Sequence, residues 1–460
     1  MDRSQRSGGY ELGTRAKTSK TLFDEVKSEA NLFAAWRHVK KSALSSSNGE
    51  IRGNASKFEH AHQTHLRKIG RQLREHRFEF DPAKGVLKDK RARLALNKDP
   101  RPIAIASVKN RVVQRAILQV LQPRGIADLS NLNSKSIQTT DPSLGAINNV
   151  NQSKYGVGGL LGEFGGVKPA VNLLLDGMND GKKYYYKSDI KSFFTDIPTA
   201  NVVDIVRKET NDNLLADLFE EALRVDLSNP EELGRFTELF PKLGIGVAQG
   251  SSLSAFAGNL LLYDLDHQLN SPDTTAVRYI DDLLVICKSE AARDWAIKTA
   301  TKGMKDFGFS LYPIGSPKSA AGKIEDSFDF LGCTFQRNRC VPSSDSVSKL
   351  LAGIEEHIIS SKQAITESIQ QNKLVPPKLS STQITRTIAD KMYGWQKSFD
   401  FVTDANAFGK IDLKAAKKLL DFDRWLRRKL LNASDETRLS VMGIPKLAAM
   451  HSRSSTETKP

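Results

Sequence analysis

The chain has 460 residues, enough for two or three domains with a substantial core, and its 39% hydrophobic and 26% charged content is that of a soluble globular protein. Lysine and arginine number 68 against 53 acids, a net charge of +15 that points to a polyanionic partner. No apolar run is long enough to span a bilayer and no signal-peptide core is present, which leaves nucleic acid as the better partner than a membrane. The three cysteines, Cys287, Cys333 and Cys340, form no C-x-x-C pair, which excludes a disulfide framework and places the chain in a reducing cytoplasm.

Taken in order, residues 1–20 are polar, basic and rich in Gly and Ser, and read as a disordered arm. Leu22, Phe23, Val26, Ala30, Phe33, Ala34 and Trp36 recur with helical spacing up to a Ser/Asn/Gly loop at 45–49. Residues 55–77 predict a second, strongly cationic helix, fit either for solvent or for phosphate. Lys98 to Ile105 reads as a loop entering a strand, and Ser107 to Leu118 as an apolar-periodic helix with a basic shoulder. Six glycines fall between Gly156 and Gly166, but no Gly-Lys-[Ser/Thr] follows, so a P-loop is rejected in favour of a flexible loop. Tyr184 to Ile190 predicts a strand with Asp189 at its C-terminal end, followed by a helix from about Thr199. Gly244 to Gly250 predicts a loop, with Ser251 or Ser252 capping a helix whose apolar face is Leu253, Phe256, Ala257, Leu260 and Leu261. Further on come a helix over 290–307, a short strand at Phe309–Tyr312, a loop holding Lys318 and a hairpin around Phe328–Phe335. From Ser346 the pattern is helical, broken near 375–377 and 404–408, and residues 451–460 read as a disordered tail.

One stretch does not fit this bland picture. Ala276-Val277-Arg278 and Leu283-Leu284-Val285-Ile286 flank Tyr279-Ile280-Asp281-Asp282, which predicts a β-hairpin whose tight turn carries two adjacent acids. A solvated Asp-rich turn is the plain alternative for the tetrapeptide alone. Packing gives no reason to set like charges at the tip of a buried ribbon, whereas a divalent cation needs hard oxygen ligands and cancels their repulsion.

Asp189-Ile190-Lys191-Ser192-Phe193-Phe194, Gln249-Gly250-Ser251-Ser252-Leu253-Ser254, Tyr279-Ile280-Asp281-Asp282, Lys318 and Phe330-Leu331-Gly332 together resemble the palm motifs of reverse transcriptases, in order and spacing. Arg101 to Gln114 is similar to the fingers of bacterial members, and Met392-Tyr393-Gly394-Trp395 resembles the start of a thumb in group II intron enzymes. The resemblance covers most of residues 30–430 and takes in group II intron, retron and abortive-infection types, with departures from each. Ala255 stands where intron and retron enzymes carry Pro, and neither an intron zinc-nuclease region nor a retron Val-Thr-Gly signature is found. With the chain ending soon after the thumb, a stand-alone, defence-associated enzyme is the expected type.

The resemblance implies an α/β (α+β) right-hand polymerase: fingers over 21–182, a mixed-sheet palm over 183–340 and a helical thumb over 341–450. It implies RNA-directed DNA synthesis with two Mg²⁺ ions about 3.5–4 Å apart, Mn²⁺ being an alternative. Asp189 and Asp281 are expected to bridge the ions, Ile190 to lend its carbonyl and Asp282 to be a peripheral ligand. Lys318 is expected near the leaving pyrophosphate as a general acid. Lys98 and Arg101 are expected to hold the triphosphate, Phe194 to crowd a ribose 2′-hydroxyl, and Gln249 and Gly250 to lie under the nascent base pair. Phe330, Leu331 and Gly332 are expected as a primer grip, and Arg111 and Gln114 as template contacts. The implied partners are an RNA template (a cognate noncoding RNA), a DNA primer and deoxynucleotides. Two alternatives are template-independent or protein-primed DNA synthesis at the same site, and a maturase-like RNA-binding role.

Overall fold

In the computed structural model, residues 20–126, 136–371, 373–402, 404–445 and 447 are described. Residues 1–19 of the expected arm (1–20), the tail (451–460) and the segment 127–135 lie outside them. The N-terminal helical pattern resolves into α1 (Leu22–Val26) and α2 (Glu29–Leu44), because the Ser28 hydroxyl accepts the Asn31 N–H at 3.3 Å and restarts the helix. The single helix expected over 55–77 is likewise two, α3 (Gly49–His60) and α4 (His62–Arg74), broken where Ala61 leaves helical geometry at φ −130°. An antiparallel pair, β1 (Lys84–Lys88) and β2 (Arg101–Ile105), follows with α5 (Lys90–Leu94) between its strands. Then come the almost wholly buried α6 (Val108–Leu121), the small β3 (Arg124–Ile126) and β4 (Ser136–Gln138) pair, α7 (Ile147–Asn151) and α8 (Val167–Asn179).

The centre of the molecule is a four-stranded antiparallel sheet in the order β6-β7-β5-β8. Its strands are β5 (Tyr184–Asp189), β6 (Thr274–Tyr279), β7 (Asp282–Cys287) and β8 (Ser319–Lys323). Between β5 and β6 run α9 (Phe193–Asp196), α10 (Thr199–Thr210), α11 (Asn213–Leu223), α12 (Pro230–Leu233) and α13 (Ser254–Gln268). Between β7 and β8 runs α14 (Glu290–Asp306). Both faces of the sheet are covered. Tyr186, Ala276, Leu283 and Val285 join the core of α13 and α14, while Tyr185, Val277, Leu284 and Ile286 face α8. That double burial is why β7 reads as an unbroken apolar run rather than an alternating one.

The structure departs from three of the expected features. The strand predicted at Phe309–Tyr312 makes one bridge, Ile190 to Leu311, and the sheet edge is taken by β8, which immediately follows Lys318. Neither Ser251 nor Ser252 is the N-cap of α13; Leu253 is, and the Ser251 hydroxyl accepts the Leu253 N–H at 3.2 Å. Beyond the sheet, β9 (Phe328–Phe330), β10 (Cys333–Gln336) and β11 (Arg339–Pro342) form a three-stranded meander, one strand more than the expected hairpin. The C-terminal helices α15 (Ser344–Gln371), α16 (Ser381–Ser398), α17 (Ala405–Leu430) and α18 (Asp435–Met442) close over a core of their own, centred on Leu350, Ile354, Ile365, Ile384, Ile388 and Phe422.

Candidate active site

Strands β5 and β7 run antiparallel in a register that sets Asp189 directly opposite Asp282. The β6–β7 turn is two residues, Ile280 and Asp281, since Tyr279 pairs with Asp282 across it. The Asp281 carbonyl accepts the Ile190 N–H at 2.8 Å, tying the turn to the end of β5. Asp189, Asp281 and Asp282 therefore stand at one end of the sheet; the hairpin pattern predicts both adjacent acids in the turn, whereas Asp282 is already the first residue of β7. Phe193 is buried, 5.5 Å from Phe309 between ring centres, whereas Phe194 is the more exposed of the two phenylalanines. The Val247 N–H donates to the Phe194 carbonyl at 2.7 Å, which brings the segment before Gln249 and Gly250 against this turn.

These acids are electrostatically frustrated. Burial, then the charges of Asp281 and Asp189, push the Asp282 carboxyl up to about 7. Burial also raises Asp281, with Lys318 and Arg101 pulling the other way. The Lys318 ammonium is ion-paired with the Asp189 carboxylate and lies 4.8 Å from the Tyr312 ring centre. Burial works against that ammonium, but its hydrogen bond and attraction to Asp189 prevail and its pKa rises. Hard oxygen donors held together against their repulsion fit a divalent cation. Among the described residues, no group of three or more His, Cys, Asp or Glu is gathered closely enough to hold a metal ion, and one of the donors is engaged by Lys318.

One cavity is lined by two of the acids, and a second lies towards the N-terminal helices. The first, of about 290 Å³, is lined by Asp189, Asp282 and Lys318 together with Phe330, Leu331 and Gly332. The other, about 350 Å³, lies between α2, β2, α6 and the loop before α13, and is lined by Ile103, Arg111, Gln114, Gly250, Ser251 and Ser252 among others. Gly250 adopts φ +103°, a backbone state that suits glycine alone. Gln114 is buried and spends its amide N–H on the Ala222 carbonyl at 3.0 Å, which fits a structural part better than a template contact. Arg111 donates to the Ser42 hydroxyl at 3.1 Å. Lys98 and Arg101 are both exposed, and neither lines either cavity.

Sequence reasoning did not single out Arg115. It lies one helical turn beyond Arg111 on the cavity wall, is 6% exposed, and has no carboxylate partner among the described residues. Its guanidinium hydrogen-bonds Gln119 Oε1 at 3.3 Å, and burial followed by the charge of Arg124 lowers its pKa to about 10. Helical spacing i, i+4 from Arg111 was the available signal.

A sheet with catalytic-type acids at the end of its central strands, flanked by helices and a basic cleft, defines a nucleotidyl-transfer palm. Residues 86–335 match the family model described as "Reverse transcriptase (RNA-dependent DNA polymerase)", more than half of the chain, and the chain belongs to that family. Its fold is accordingly the right-hand polymerase. Protein YkfC of Escherichia coli (strain K12) is 20% identical over 272 residues, which span 52% of this chain and 64% of that relative's length. Among solved structures, a Cas6-RT-Cas1–Cas2 complex is similar over 87% of this chain and 50% of its own, at 15% identity and TM-score 0.34. The apo telomerase of Candida tropicalis is similar over 82% and 67%, at 13% identity and TM-score 0.41. No helix among the described residues is long and apolar enough to cross a membrane.

Proposed function

We propose that this protein is an RNA-directed DNA polymerase that extends a primer 3′-hydroxyl with deoxynucleotides, copying an associated noncoding RNA in the bacterial cytoplasm. The observation that carries the reading is that Asp189, Asp281 and Asp282 stand at one end of a doubly covered sheet, beside a cavity that Asp189, Asp282 and Lys318 line. Asp189 and Asp281, with the Ile190 carbonyl and Asp282 beside them, would hold two divalent cations, which when bound activate the attacking hydroxyl and neutralise the triphosphate. Lys318, ion-paired with Asp189, would offer its ammonium to the leaving pyrophosphate as a proton donor held in its charged form. Arg101, whose charge already acts on Asp281, would hold the triphosphate with Lys98, and Phe194 would crowd a ribose 2′-hydroxyl. Gln249 and Gly250 would support the nascent pair; Phe330, Leu331 and Gly332 would steady the primer in the smaller cavity, and Arg111 and Arg115 the template in the larger. A role in antiphage defence is proposed on the likeness of the motifs to stand-alone bacterial enzymes.

The test is incorporation of labelled deoxynucleotides by the purified protein with Mg²⁺, an RNA template and a DNA primer, and separately with its co-purifying RNA. Template-directed product from the wild type and none from Asp281→Ala is the expected result. Equal incorporation by the two proteins, or none by either while RNA binding is intact, overturns the reading.

A further inference from the structure

The turn carrying Asp281 is strained. Ile280 sits at φ +61°, a left-handed state that a β-branched residue adopts only where its surroundings impose it. At the first position of a two-residue hairpin turn such a backbone calls for glycine. What imposes it on isoleucine lies directly behind. The buried Arg278, two residues upstream, donates from Nη1 to the Ile280 carbonyl at 3.0 Å. Its other nitrogens grip Asp266 of α13 (Nε to Oδ1 2.9 Å, Nη2 to Oδ2 2.6 Å) and Asn259 Oδ1 at 3.1 Å. Asn259 in turn donates to the Gly158 carbonyl at 2.7 Å.

Gly156 to Gly158 are the first residues of the stretch whose glycines read as a flexible loop. They are instead a backing plate. Val157 N–H donates to the Arg278 carbonyl at 2.9 Å and Arg278 N–H to the Tyr155 carbonyl at 2.8 Å, so the segment adds a short parallel bridge beside β6. A Cβ on Gly156 would lie 2.5 Å from Asp266 Oδ2, and one on Gly158 2.5 Å from the Ile280 nitrogen. Neither glycine has a positive φ; they are required for space.

We propose that Arg278, clamped by Asp266 and Asn259 and backed by Gly156–Gly158, is the positioning residue that holds the strained turn and so aims Asp281 and Asp282. Its consequence for catalysis rests on the polymerase reading above. Arg278 itself touches no reacting atom. Its guanidinium spends separate edges on the clamp and on the turn, a division that a lysine ammonium cannot reproduce.

The test uses the full chain free of nucleic acid, with Mn²⁺ affinity measured by electron paramagnetic resonance, secondary structure by circular dichroism, and kcat and KM measured with primed RNA. The variants are Arg278→Lys, the charge-neutral pair Arg278→Gln/Asp266→Asn, and Gly158→Ala, which leaves the ion pair in place. Folded variants are expected to lose about tenfold or more in Mn²⁺ affinity, in the range for residues that orient metal ligands. A fall in kcat with little change in template–primer KM is expected alongside. Adding Ile280→Gly to the neutral pair should restore part of both, because glycine holds this backbone without the Arg278 bond. Folded variants with wild-type Mn²⁺ affinity and kcat overturn the proposal, as does a lack of effect of Ile280→Gly on an impaired neutral pair. If wild type incorporates no nucleotide yet the variants lose Mn²⁺ affinity, the polymerase reading falls and the positioning role stands.

Discussion

Asp282 shows what the site does to a single residue. Its carboxyl titrates near 7 in the folded chain and near 4 in an unfolded one. Between those values the folded state holds the extra proton, so this group's contribution to stability falls as pH rises from about 4 to 7 and is fully unfavourable above that. Asp282→Asn is therefore expected to stabilise the metal-free protein by roughly 2 kcal/mol at pH 8, after allowance for solvent screening, and to converge with wild type near pH 4. Urea titrations across that range in the presence of a chelator read the difference; equal stabilities at both ends would sink it. Arg115 makes the complementary point for cations. Burying an unpaired guanidinium costs stability, so Arg115→Leu is expected to leave the fold intact, weaken RNA binding and lower the salt slope of that binding by about one unit. Asp189 and Asp281 could be proposed from sequence because each sits in a short motif, and Lys318 from its place in the order of those motifs. The partnership of Arg278 with Asp266 could not, since it joins a strand to a helix across a turn, and nothing in local periodicity encodes it.

At the scale of elements, patterns that depend on one segment's own residues were legible and those imposed by neighbours were not. The β6–β7 hairpin and its turn were legible from two apolar runs around two acids. Strand β8 was not: Ser319-Ala320-Ala321-Gly322-Lys323 has no β-branched or aromatic residue, and it is a strand only because β5 offers an unpaired edge. Helix α13 bears a related conflict. Gly258 lies mid-helix, where alanine ordinarily gains about 1 kcal/mol, yet a Cβ there would sit 2.4 Å from Phe193 Cζ. Overpacking of about 1–3 kcal/mol should win, so Gly258→Ala is expected to lower the melting temperature. An unchanged or higher Tm would show that Phe193 moves aside freely. The ring beyond it belongs to Phe194, and Phe194→Val is expected to admit ribonucleotides. Misincorporation of ribo- over deoxynucleotides measures this, and an unaltered preference would remove Phe194 from the proposed gate.

Across the whole molecule, the excess of 15 positive charges gives long-range attraction for a nucleic acid without identifying one. Helix α17 concentrates it: several of its acids are already paired, Asp421 with Arg424 and Asp423 with Arg427, while Lys414, Lys417 and Arg428 make no ion pair among the described residues. Reversing Lys414 and Lys417 to Glu is expected to weaken RNA binding at low salt and to leave Mn²⁺ affinity unchanged, a separation readable by titration at two ionic strengths. Helices α15–α18 share a hydrophobic core of their own, while α8 packs against the sheet, so continuous core crosses residue 182.

The backing of the acidic turn also bears on how the chain comes into being. Gly158 and Arg278 are separated by 120 residues, so the turn cannot be locked while the ribosome is still adding the segment between them. Until Arg278 emerges, Asp266 has no counter-charge, and the helix that carries it has no reason to bury that face. Closure of this site is thus a late event of high contact order. A hairpin transplanted alone into another scaffold would arrive without its support, so the unit that must travel together reaches back at least to Tyr155.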